Sequence, residues 1–65
     1  MIKIGALVLI KANYPFIDEL FAGKYGIVLG HTTYSHYRNI RIEYILLLGD
    51  RFAYFMNDEI EEIKT

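Results

Sequence analysis

The dipeptide Gly49-Asp50 limits the fold more than any other feature of this 65-residue chain. It splits two β-favouring runs, Ile40-Arg41-Ile42-Glu43-Tyr44-Ile45-Leu46-Leu47-Leu48 and Arg51-Phe52-Ala53-Tyr54-Phe55. Two period-2 runs joined by a Gly-first two-residue turn predict a β-hairpin, and a two-residue loop leaves one register. Leu48 then opposes Arg51, Leu47 opposes Phe52, Leu46 opposes Ala53, Ile45 opposes Tyr54 and Tyr44 opposes Phe55. Directly opposite residues share a face. One face carries Ile42, Tyr44, Leu46, Ala53 and Phe55. The other carries Arg41 and Glu43, then Ile45, Leu47, Phe52 and Tyr54. Both faces are apolar near the turn, whereas a half-solvated antiparallel sheet is polar on one side. The second face therefore needs a cover: a loop of this chain, another copy, or a partner.

The rest of the chain supplies three more strands. Met1–Ala12 reads as the first, with Gly5-Ala6-Leu7-Val8-Leu9-Ile10 at its heart and Asn13-Tyr14-Pro15 ending it. Phe16–Gly23 reads as a loop holding one helical turn, because Ile17, Leu20 and Phe21 share a helical face, Asp18 suits its start and Gly23 its stop. Lys24–Thr33 is the second strand. Gly26 and Gly30 inside it predict a bulge, a bend or a close backbone approach. The polar, aromatic stretch His31–Tyr37 reads as a loop. Asn57-Asp58-Glu59 reads as a turn, one round of 3₁₀ helix. Ile60–Ile63 follows as a short closing strand, with a short helix as the alternative.

Size and charge narrow the classes. A chain this short makes one domain. It has no cysteine, so no disulfide or thiolate metal site supports it. Stability must come from a dense core or from oligomerisation, and a hydrophobic content of 54% suits both. The net charge of −1 gives no overall basic footprint for nucleic acid. No apolar run reaches the length of a membrane span. The composition implies a soluble cytoplasmic protein.

Five short strands, a long first loop and a late 3₁₀ turn predict an all-β fold, a small five-stranded partly open barrel. The pattern Gly5-x-Leu7-Val8-x-Ile10, then Gly23-Lys24-x-Gly26-x-Val28, a long third strand, and Phe55 before Asp58-Glu59-Ile60-Glu61 resembles the SH3-like barrel superfamily. The Gly-Lys-x-Gly-x-Val element is similar to KOW-type barrels of ribosomal and transcription factors. The Tyr-Pro-Phe loop and Phe…Glu-Ile ending are similar to a small accessory protein of photosystem I. The nearest likeness is to stand-alone phage or bacterial barrels without an assigned role. The chain has no Trp and no Ala-Leu-Tyr-Asp-Tyr motif, which argues against Pro-rich peptide recognition.

Catalytic chemistry finds little footing. His31 and His36 lack a metal-ligand spacing, and Asp18 and Glu19 diverge as neighbours. No cofactor, metal site or enzymatic activity is expected. Six Tyr and four Phe are more informative. The resemblance places the first loop (Tyr14, Phe16, Phe21) and the second (Tyr34, Tyr37) on either side of one groove, where members of the fold bind partners. The phenylalanines are also the residues that would plug a small barrel. With Ile45, Leu47, Phe52 and Tyr54 these residues make the candidate interaction surface of a non-enzymatic module, one that self-associates as a homo-oligomer or docks onto a larger assembly. The alternative is nucleic-acid binding, with Lys24, Arg38 and Arg41 beside Tyr34 and Tyr37.

Overall fold

The computed structural model describes residues 1–12 and 17–64, apart from the side chains of Tyr34 and His36. Five strands, β1 (Leu7–Ile10), β2 (Tyr25–His36), β3 (Asn39–Leu48), β4 (Arg51–Met56) and β5 (Ile60–Glu62), form one antiparallel sheet. Its order is β4-β3-β2-β1-β5, so β4 and β5 are the two edges. No helix occurs among the described residues.

The β3–β4 hairpin has the register that its turn dictates. Leu48 pairs with Arg51, Leu47 with Phe52, Leu46 with Ala53, Ile45 with Tyr54 and Tyr44 with Phe55. Gly49 takes φ +67°, which a Gly-first hairpin turn requires. The face with Tyr44, Leu46 and Phe55 is the buried one, and Ile42 and Ala53 pack against it. Val8 and Ile10 of β1, Val28 of β2 and Ile60 of β5 complete the same cluster. Both edge strands thus feed one core, so the sheet curls around it. Tyr44 is buried to the ring and finds a partner for its hydroxyl in the Ile2 amide, which donates to it at 2.9 Å. That bond ties the N-terminal segment to the middle of β3.

Two local expectations change. The first strand is shorter than Met1–Ala12, because Gly5 at φ +91° turns the chain before Leu7. The residues 31–36, read as a loop, continue β2, pairing one-to-one with Asn39–Tyr44 of β3. Their polar character reflects a ribbon that runs beyond β1 and β4, with no core to face. The short closing strand is present as expected: residues 60–62 are strand and not the alternative helix, held to β1 by Ile10–Ile60, Leu9–Glu61 and Val8–Glu62 pairs.

The first loop does hold a single tight turn. The Asp18 carbonyl accepts from the amides of Phe21 and Ala22, and its Oδ1 accepts from Leu20 at 2.9 Å. Gly23 closes the turn at φ +76°. The turn drops Phe21 onto Phe55, edge-to-face, with ring centroids 5.7 Å apart.

Candidate interaction surface

The outer face of the sheet carries an apolar row that crosses β1, β2, β3 and β4. Leu7 pairs with Ile27, Ile27 with Leu47 and Leu47 with Phe52. Ile63 extends the row beyond β5, its amide donating to the Leu7 carbonyl at 2.9 Å. A second row lies beside it. Ile45 pairs with Tyr54, and Leu29 sits at the β2 bulge where the register shifts between Val28 and Gly30. Neither row contains a charge. Glu43 and Arg41 follow along β3 on the same face, and Glu61 sits opposite Leu9, so the charges form a rim.

This outer surface is uncovered. Phe52 and Tyr54 are 68% and 64% exposed, and Leu7, Ile27 and Leu29 are each close to two-fifths exposed. Ile45 and Leu47 are half-buried by their neighbours in the sheet. Among the described residues, no loop of the chain lies over the two aromatics.

The sequence-predicted residues divide accordingly. Ile45, Leu47, Phe52 and Tyr54 come together as expected. Phe21 belongs to the core end, packed on Phe55, so its plugging role takes precedence over docking. Tyr14 and Phe16 lie outside the described residues. Tyr34 pairs by its backbone with Arg41, and its side chain is outside the described part. Tyr37 occupies the tip of the β2–β3 ribbon, 90% exposed and at φ +57°, a conformation bulky residues rarely take. Arg38 shares that tip and Arg41 the adjoining strand. Lys24 is not with them. It borders a depression at the other end of the sheet with Leu48, Asp50 and Arg51. Leu7, Ile27 and Leu29 were missed. The available signal was the same as in the hairpin: Leu7-Val8-Leu9-Ile10 and Ile27-Val28-Leu29 are apolar at both parities.

His31 stacks edge-wise on Tyr44, centroids 6.1 Å apart, and remains exposed. Among the described residues no group of three or more His, Asp or Glu side chains could hold a metal ion. Glu59 is structural: its Oε1 accepts from the Met56 amide at 2.7 Å and its own amide donates to the Met56 carbonyl.

Fold and surface together define a small all-β protein: a single curled sheet with a buried inner core and an open apolar outer face. Comparison with protein families, with curated proteins and with solved structures returned no match to this chain.

Proposed function

We propose that this chain is a non-enzymatic interaction module, an SH3-like partly open barrel that associates with a second copy of itself through the outer apolar surface of β3 and β4. The carrying observation is the charge-free cross-strand row Leu7–Ile27–Leu47–Phe52, flanked by Ile45 and Tyr54. The order β4-β3-β2-β1-β5 and the hydrogen-bonded Met56–Glu59 turn before β5 support the barrel reading, including its single 3₁₀ round.

Two magnitudes favour association. The chain exposes 4991 Å², whereas a compact monomer of 7.6 kDa exposes about 4,300 Å². The exposed apolar side chains of the outer face amount to roughly 600 Å² per copy, close to one partner's share of a standard interface. A patch of that size is at the upper limit for a monomer that binds nothing. A net charge of −1 offers little repulsion between copies.

Light scattering behind a sizing column, across protein concentrations, tests this directly. The wild-type chain is expected to form a concentration-dependent oligomer. Phe52→Lys with Tyr54→Lys should weaken it by at least about 2 kcal/mol, some thirtyfold in Kd. Both side chains are mostly solvent-exposed, so the monomer should keep its fold by circular dichroism. An unchanged oligomer would place the interface elsewhere, and a strict monomer would end the self-association reading.

A second reading has its own observation. All eight acidic residues lie outside residues 31–42, which carry Arg38 and Arg41. This ribbon is thus +2 and the rest of the chain −3. A projecting basic ribbon with Tyr37 at its tip suits a nucleic-acid strand. Binding of a labelled oligonucleotide through two arginines would fall with salt at a log–log slope of about −1.5. Arg38→Ala with Arg41→Ala should abolish it. No binding by the wild-type chain at low salt would remove this reading.

A further inference from the structure

We infer that the free edge of β4 pairs with β4 of a second copy, the two strands running antiparallel about a two-fold axis at Ala53. The inference rests on self-association as proposed above, but assigns the contact to the edge of β4 and not to the outer face, which edge pairing leaves open.

The two sheet edges are built differently. β5 is three residues long and includes Glu61 and Glu62. Short, charged edges resist strand addition. β4 is six residues long, its only charge is Arg51 at one end, and it contains no proline. Its register with β3 runs without a shift. Nothing in its sequence blunts it.

Backbone accounting shows which groups that edge offers. In a two-residue hairpin the closing pair, here Leu48–Arg51, is hydrogen-bonded, and bonding alternates from there. Arg51, Ala53 and Phe55 therefore direct their N–H and C=O groups at β3. Asn57 keeps the same phase, its amide donating to the Ile42 carbonyl at 3.1 Å. Phe52, Tyr54 and Met56 direct theirs at the open edge. Met56 is already engaged on both sides by Glu59: its amide donates to Oε1 at 2.7 Å, and its carbonyl accepts from the Glu59 amide at 3.0 Å. Among the described residues, Phe52 and Tyr54 supply the remaining donors and acceptors of the open edge.

That capping selects one register for a second β4. Pairing Phe52 with Tyr54 of the other copy, and Tyr54 with its Phe52, uses both open residues on each strand and spares Met56. Pairing Tyr54 with its own counterpart would instead call on Met56. The selected register makes two aromatic cross-strand pairs on the outer face, a pairing that favours antiparallel strands. The two Arg51 residues fall about 14 Å apart along the strand direction, too far to repel strongly. The two-fold arrangement is closed, because β4 is consumed and β5 is protected. It also joins the outer apolar rows of both copies across one continuous sheet.

The occupant is a copy of this chain because one strand supplies both halves of the match. Among the described residues, those with open backbone groups are also the ones with the most exposed aromatic side chains on that face.

The test probes backbone rather than side chain. Amide hydrogen exchange of the wild-type chain is followed by NMR at low and high concentration. The Phe52 and Tyr54 amides are expected to slow at least tenfold at high concentration, while the Asp50 amide in the turn does not change. A synthetic chain with an N-methyl group on Tyr54 keeps every side chain and every bond to β3, and should dimerise at least tenfold more weakly. A dimer that survives N-methylation, with Phe52 and Tyr54 amides unprotected, overturns edge pairing and leaves face-to-face association standing. A chain that stays monomeric at all concentrations overturns both. The exchange measurement needs no variant, so a misfolded synthetic chain would not obscure the result.

Discussion

Leu46→Ala is expected to lower the melting temperature by roughly 10–30 °C. Leu46 is fully buried at the middle of β3. It pairs with Val28 on one side and Ala53 on the other, with Tyr44 two residues away on the same face. Removing its three terminal carbons costs the transfer free energy and leaves a cavity, together about 2–5 kcal/mol. A domain of this length has a total stability of only about 3–10 kcal/mol. The surrounding sheet cannot collapse into the gap without breaking ladder bonds on both sides. Leu47→Ala is the control, one residue along but on the half-buried outer face, and should cost about 1 kcal/mol. Thermal unfolding should be measured at one low protein concentration, because the proposed association would add stability by mass action. Equal losses in the two variants would mean that the face parity assigned to β3 is incorrect.

The same pair of residues shows how much of the fold is legible in the sequence. A turn of fixed length sets the register, and the register sets which residues share a face. Every pair predicted for the hairpin is therefore present, and the buried face is the one with Tyr44, Leu46 and Phe55. Where a strand has no core beneath it, that logic fails. His31–His36 reads as a loop because alternation is a signature of one-sided burial, and this ribbon projects past β1 and β4. Its strand character comes from pairing with Asn39–Tyr44, which composition does not express. The start of β1 is hidden for a different reason: Gly5 turns the chain through a positive φ that an apolar run conceals.

The candidate interaction surface is legible in part. The hairpin's second face is visibly apolar, and the need for a cover follows from that alone. Leu7, Ile27 and Leu29 join it only through strand order, which brings β1 and β2 alongside β3. Strand order also separates Lys24 from Arg38 and Arg41, which the sequence reading groups together. The edge pairing proposed for β4 turns on a side chain eight residues beyond its start: Glu59 folds back to cap Met56, and no pattern of hydrophobicity encodes that. Phe21 could serve as plug or as contact, and the Asp18 turn that lowers it onto Phe55 decides between them.

Gly26→Ala and Gly30→Ala should move stability in opposite directions, although the sequence offers the same reasons for both glycines. A Cβ at Gly26 would lie 2.7 Å from Leu48 Cδ2, 3.2 Å from the Leu47 carbonyl oxygen and 3.4 Å from Leu46 Cβ. The Leu48 side chain can swing aside. The Leu47 carbonyl cannot, because β3 is held between two neighbouring strands. Overpacking of this kind costs about 1–3 kcal/mol, of which the lower entropy of the unfolded chain returns about 0.4–1 kcal/mol. At Gly30 the nearest atom to a new Cβ is Ile45 Cδ1 at 3.9 Å, an ordinary contact. Gly30 is a bulge residue whose backbone lies outside the left-handed region, so alanine fits it. Gly30→Ala should therefore be neutral or stabilise by up to about 1 kcal/mol through the unfolded state. Urea midpoints measured side by side should separate the two variants by about 1 M or more. The reverse order would mean that the bulge at Gly30, and not the close approach of β2 to β3 at Gly26, is the point where the curl of the sheet depends on glycine.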